Sequence, residues 1–91
     1  MAQLQIFNVY TRYIIHPEEE EFHCSYINRE AALKHPSKML RPWWVSQITV
    51  NSWTGSVFSG YYFISERIYF NRDGEIINHI YYNDKGEVIN G

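Results

Sequence analysis

"FNRDGEIINHIYYNDKGEVIN", residues 70–90, states one pattern twice: Phe70-Asn-Arg-Asp-Gly74-Glu-Ile-Ile-Asn78 returns twelve residues later as Tyr82-Asn-Asp-Lys-Gly86-Glu-Val-Ile-Asn90. Asn with Gly three residues on, set between runs of β-branched and aromatic residues, is the chemistry of a short hairpin turn. Asn and Asp hydrogen-bond their own backbone, and Gly accepts positive φ at little steric cost. Twelve residues is the length of a strand plus its turn, so the repeat reads as an antiparallel meander. A calcium loop would need several oxygen ligands converging in one place. "NRDGE" and "NDKGE" each offer at most three, and Lys85 puts a cation inside the second. A β-solenoid needs three or more copies, and the chain has two.

Upstream of the repeat, residues 43–70 are strand material. Trp44, Ile48 and Val50 share a parity with Ser46 between them, Thr54-Gly55 reads as a turn, and "SVFSGYYFISERIYFN" supplies one long strand or two broken near Gly60. By strict alternation Tyr61, Phe63 and Tyr69 occupy one face, while Tyr62, Ile64, Ile68 and Phe70 occupy the other. In "INHIYY", Ile77 and Tyr81 oppose Ile76, Ile80 and Tyr82.

The first segment, Leu4 to Ile15, alternates in the same way, with Phe7, Val9, Thr11, Tyr13 and Ile15 on one parity and Asn8 and Arg12 on the other. Pro17 ends it, the glutamates Glu18 to Glu21 form a solvated tip, and Phe22, Cys24 and Tyr26 begin a second strand. "INREAALKH" breaks the alternation. Asn28 is a good N-cap, Glu30 suits the first turn, Ala31, Ala32 and Leu33 favour helix, and Pro36 stops it. The expected fold is therefore α+β: one domain, a curved antiparallel sheet of about five to six strands in the order β-β-α-β-β-β-β, with one short helix packed on one face.

The terminal hairpins resemble strand–turn repeats found in many bacterial proteins. The resemblance covers residues 70–90 and implies no activity.

Composition narrows the function classes. A net charge of −2 and a pI near 6.0 give no global positive field for nucleic acid or an anionic membrane. One cysteine, Cys24, cannot form an intramolecular disulfide. The N-terminal residues lack the basic and apolar regions of a secretory signal, and no apolar run approaches the roughly 18 residues of a membrane span. The expected location is cytoplasmic.

Chemical constellations are sparse. His16, His23, Cys24, His35 and His79 show no metal-ligand spacing, so neither metal nor cofactor is expected. Cys24 has no adjacent Lys or Arg and no helix start directly after it to activate a thiolate. The richest stretch is "KHPSKMLRPWW". Lys34, Lys38 and Arg41 lie beside Met39, Trp43 and Trp44, and Trp and Arg are the residues that dominate interface energies.

One short helix covers one face of such a sheet, and a large exposed apolar face is rare in monomers. A second copy, a partner protein or sheet curvature must cover the other. The reading is a non-enzymatic protein-binding module, a homodimer or partner-bound, of the accessory-inhibitor kind (antitoxin, immunity or phage anti-defence protein). Its anchors are Arg41, Trp43, Trp44 and Trp53. An alternative is a nucleotide or other anion site built from Lys34, Lys38, Arg41 and Trp44. A third reading is a small enzyme with a cone-shaped α+β pocket using His79 or Glu66 as base.

Overall fold

The computed structural model describes residues 3–56, 58 and 60–90. Its elements are β1 (Gln3–Tyr13), β2 (Glu20–Tyr26), α1 (Arg29–Lys38), β3 (Val45–Ser56), β4 (Tyr61–Asn71), β5 (Ile76–Tyr82) and β6 (Val88–Asn90). The strands form a single antiparallel sheet in the order β2-β1-β3-β4-β5-β6, and α1 packs across β1, β2 and β3. The α+β class, the element order and the single helix are as the sequence implies. No helix among the described residues is long and apolar enough to cross a membrane.

The helix side of the sheet holds the core: Phe7, Val9, Val45, Ile48, Val50, Ile68 and Phe70 are buried together with Ala32 of α1. Burying a Val, Ile or Phe fully contributes roughly 1.5–3 kcal/mol each. Tyr13, Cys24, Tyr26, Leu33 and Met39 pack around this cluster.

Every strand pair contains a register shift, which strengthens twist and curvature. The shift at Ser52/Trp53 matters most, because it places Ser52 opposite Glu66 but Trp53 opposite Ile64, leaving Ser65 as the extra residue. Strict alternation puts Ile64 and Ile68 on one face; the bulge separates them, with Ile68 beneath the helix and Ile64 on the other side.

Two local expectations are corrected. Strand β3 begins at Val45, so the Trp43–Trp44 pair lies in the turn before it and not on the strand. Thr54-Gly55 is not a turn: both residues lie within β3, paired to Phe63 and Tyr62. Gly55 is there because a Cβ would collide with the Tyr61 carbonyl and stand 2.7 Å from the Tyr62 ring. Residues 57 and 59, read as part of the following strand segment, fall outside the described residues.

The helix also runs past its expected stop, with Pro36 inside it and buried. Proline withholds one N–H and disfavours helix in the residue before it. Here the ring adds to the core, the Ser37 hydroxyl donates to the Lys34 carbonyl at 2.8 Å, and Arg41 donates to the Pro36 carbonyl. At the other end the Asn28 side chain accepts the Ala31 N–H at 3.0 Å, as a cap should.

The two copies of the opening repeat fold identically. Asn71 Oδ1 accepts the N–H groups of Asp73 and Glu75 at 2.9 and 3.0 Å, and Asn83 Oδ1 accepts those of Lys85 and Glu87 at the same distances. Gly74 and Gly86 take φ of 87° and 82°. The two Asn side-chain oxygens are thus taken up by backbone donors, as a turn requires.

Candidate functional site

Antiparallel register sorts the side chains into two faces. Residues opposite one another project the same way, so the core positions Val9, Val50 and Ile68 define the helix side. One residue along lie three cross-strand rows on the helix-free face. They run Ser25–Asn8–Asn51–Arg67–Ile80, then Phe22–Tyr10–Thr49–Tyr69–Asn78, then Glu20–Arg12–Gln47–Asn71. Trp53 lies next to them, opposite Ile6 and Ile64.

This face is not the bare apolar surface that composition implies. Its centre is polar and shut away from water: Thr49 is 2 % exposed and Asn51 7 %. The middle of the second surface is thus buried within the chain itself. Tyr10 and Phe22 meet edge to face at 5.7 Å on its outer side.

Hydrogen bonding in this centre is incomplete. Arg12 Nε, Thr49 Oγ1, Asn51 Oδ1, Trp53 Nε1 and Arg67 Nε are buried polar atoms with no hydrogen-bond partner among the described residues. All five belong to helix-free positions. An unpaired buried polar group costs about 1–3 kcal/mol, so folded proteins rarely keep them without a use. Arg12 still bonds Glu20 at 3.3 Å. Arg67 has no ion pair among the described residues and lies 5.7 Å over the ring of Tyr82. A cleft of about 290 Å³ opens beside it, lined by Trp53, Phe63, Ile64, Arg67, Tyr82 and Gly86.

The helix side carries a contrasting polar group that is fully paired. Glu66, 3 % exposed, receives two hydrogen bonds of 2.7 Å from the Arg29 guanidinium and a third contact from His79 Nε2. Arg29 lies 6.0 Å over the Phe7 ring, and His79 stacks on Tyr81 at 4.5 Å. Burial pushes the Glu66 carboxyl up, but the hydrogen bonds and charges of Arg29 and His79 outweigh it and hold the group below its ordinary range. A general base needs raised proton affinity and a free lone pair. Glu66 is arranged the other way, as a buried anion tying the helix to β4. Beside it a cleft of about 420 Å³ is lined by Gln5, Thr54, Ser65 and Tyr81 among others. There Gln5 bonds Thr54 at 3.3 Å and Thr54 bonds Ser65 at 2.6 Å.

The proposed anchors do not form one patch. Trp43 and Trp44 meet edge to face at 6.0 Å, both exposed, at the start of β3. Arg41 is beside them in sequence, turned back to the helix end. Trp53 sits nine residues further along, about 30 Å at roughly 3.3 Å per strand residue. Lys34 and Lys38 flank a cleft on the helix with Tyr26, Asn28, Glu30 and His35. Lys34 is paired with Glu30 at 3.0 Å. Arg41 and Trp44 do not line that cleft.

Cys24 lies against His35, its Sγ 3.9 and 3.8 Å from the two ring nitrogens, while the Tyr26 hydroxyl meets His35 Nδ1 at 2.6 Å. Burial, then the charge of His23, lowers the proton affinity of His35. An uncharged imidazole gives Cys24 none of the positive field that activates thiols. Among the described residues no group of three or more His, Cys, Asp or Glu could hold a metal ion.

Sequence reasoning passed over Arg12, Thr49, Asn51 and Arg67 because polar residues alternating with Ile48 and Val50 look like an ordinary wet face. Arg29 carried a readable signal. A cation in the first helical turn opposes the helix dipole, which points to a partner elsewhere.

No protein-family model matches the chain, and no curated protein or solved structure matches it.

Proposed function

We propose that this chain is a binding module that docks another protein against its helix-free face, acting as an accessory inhibitor or regulator by occlusion. The observation that carries the reading is the set of five buried polar atoms left without partners, all on that one face. They lie just beneath the surface that a docked protein would cover, where side-chain rearrangement on docking would bring them to its donors and acceptors. The surrounding Tyr10, Phe22, Trp53, Tyr69 and Tyr82, with Arg12 and Arg67, are the residue types that carry interface energy.

Charge favours a partner of different chemistry over a second copy. The only carboxylate in the cross-strand rows of this face is Glu20, at the rim and already bonded to Arg12. A second copy pressed face to face would therefore bring no free carboxylate to Arg67. An acidic partner surface would.

The test is quantitative binding with the partner captured from the native cell. Trp53→Ala and Arg67→Ala should each weaken it by about 2 kcal/mol or more, whereas Lys34→Ala and Lys38→Ala on the helix flank should leave it unchanged. Undiminished binding by folded Trp53 and Arg67 variants would remove the proposal. Light scattering separates self-association, which would appear as a dimer lost on Arg67→Glu.

A further inference from the structure

We infer that the cleft between Trp53 and Tyr82 is a carboxylate-binding site, taking an acid group carried on a single ring or short apolar stem. The inference shares the helix-free face with the proposed docking surface, and rests on that reading only for the molecule that brings the carboxylate.

Three features of the cleft converge on this ligand. First, Arg67 is a cation with no counter-ion among the described residues and with a buried, unpaired Nε. Its Cζ lies 5.7 Å over the ring of Tyr82, and its guanidinium N–H groups make no hydrogen bond among the described residues. A planar fork of donors is matched by a carboxylate, whose two oxygens accept in that plane. Second, the indole of Trp53 lines the same cleft as an aromatic wall, its Nε1 buried beneath the surface. Third, the remaining lining of Phe63 and Ile64 is apolar, and the volume is about 290 Å³. That is at the small end of ligand pockets, enough for one ring with an acid arm and too little for a nucleotide. Apolar walls also raise the effective strength of the charge-assisted pair by excluding water.

Two sources share this chemistry: a free small acid, or an acidic side chain of the docked protein next to an aromatic or branched residue. The experiment uses the full chain carrying Trp43→Phe and Trp44→Phe, so that Trp53 is its one indole. Its fluorescence and its indole N–H resonance are followed during titration with 3-phenylpropionate, hexanoate and the matched amide 3-phenylpropionamide. For so small a ligand a Kd of about 1 mM is a fair expectation. The acid should bind at least tenfold more tightly than the amide, and Arg67→Gln should abolish that preference. Arg67→Lys, which keeps charge but loses the fork, should retain part of it and serves if the Gln variant does not fold. Equal binding of acid and amide, preference unchanged in Arg67→Gln, or no response to either acid at about 10 mM, roughly tenfold above that Kd, would each overturn the assignment. Stronger binding of the free acid than of the capped peptide acetyl-Phe-Glu-amide assigns the site to a small molecule, and the reverse order assigns it to the partner's chain.

Discussion

Arg29 and Glu66 are separated by 37 positions in the chain and joined by two hydrogen bonds of 2.7 Å. This fork-to-fork contact fastens the start of α1 to β4, a strand that the helix otherwise hardly touches. Removing one member of a fully buried pair costs roughly 3–5 kcal/mol. The Arg29 side chain is 44 % exposed, so water takes up part of that loss. Glu66→Gln should therefore destabilise the chain by about 2–3 kcal/mol in urea denaturation. A joint Arg29→Met, Glu66→Gln variant should lose less than the two single changes added together. Additive losses would mean that the pair acts as two independent residues.

Acid should act in two stages. His35 has lower proton affinity in the fold than its ordinary 6.5, through burial first and the charge of His23 second. Glu66 lies below its ordinary 4.5, its hydrogen bonds and charges outweighing burial. Both groups bind protons more readily in the unfolded chain, so both stabilise the fold above their ordinary values and lose that contribution as pH falls through the lowered ones. Thermal unfolding should show a first decline below about pH 6.5 and a steeper one below about 4.5. His35→Gln should flatten the upper decline and Glu66→Gln the lower. A wild-type melting temperature that stays level from pH 7 to about pH 2 would contradict both assignments.

Thr49 offers a test in which stability and binding move in opposite directions. Its hydroxyl is buried without a partner, so Thr49→Val replaces an unpaired group by an apolar one of the same shape. The free protein should gain about 1 kcal/mol, while the proposed partner should bind less tightly. Loss of stability would show that the hydroxyl is already satisfied in the free chain.

The twin turns predict unequal costs for the same substitution. Gly86→Ala meets nothing within 4 Å and carries only the strain of positive φ, about 1–2 kcal/mol. Gly74→Ala has the same strain, and its Cβ would also stand 2.9 Å from Ser37 Cα at the end of α1. It should cost at least about 1 kcal/mol more in denaturant titration. Equal losses would deny that the first turn packs under the helix.

Much of the fold was legible because its signals are local. Asn71-x-x-Gly74 and Asn83-x-x-Gly86 fold as turns by hydrogen bonds within five residues, and Asn28 caps α1 by a bond spanning three. Phe7, Val9 and Thr11 are buried on the parity that alternation assigns. Where tertiary packing intervenes, local rules give way. Pro36 stayed in the helix because its ring had a core to enter, and Gly55 stayed in the strand because Tyr62 pressed against it. Of the site, the sequence offered tryptophans and cations that lie near one another along the chain. Trp43 lies in the turn before β3 and Trp53 near the far end of that strand, and Arg67, between Glu66 and Ile68, carries no local signal.

The sequence by itself determined the elements and their order, since strand alternation, helix capping and turn chemistry act over a few residues. Only the tertiary structure decided which side chains share a face and which polar atoms are left unpaired. Those outcomes depend on register between strands far apart in the chain, and one bulged residue, Ser65 opposite the Ser52–Trp53 step, is enough to send every later side chain to the other side.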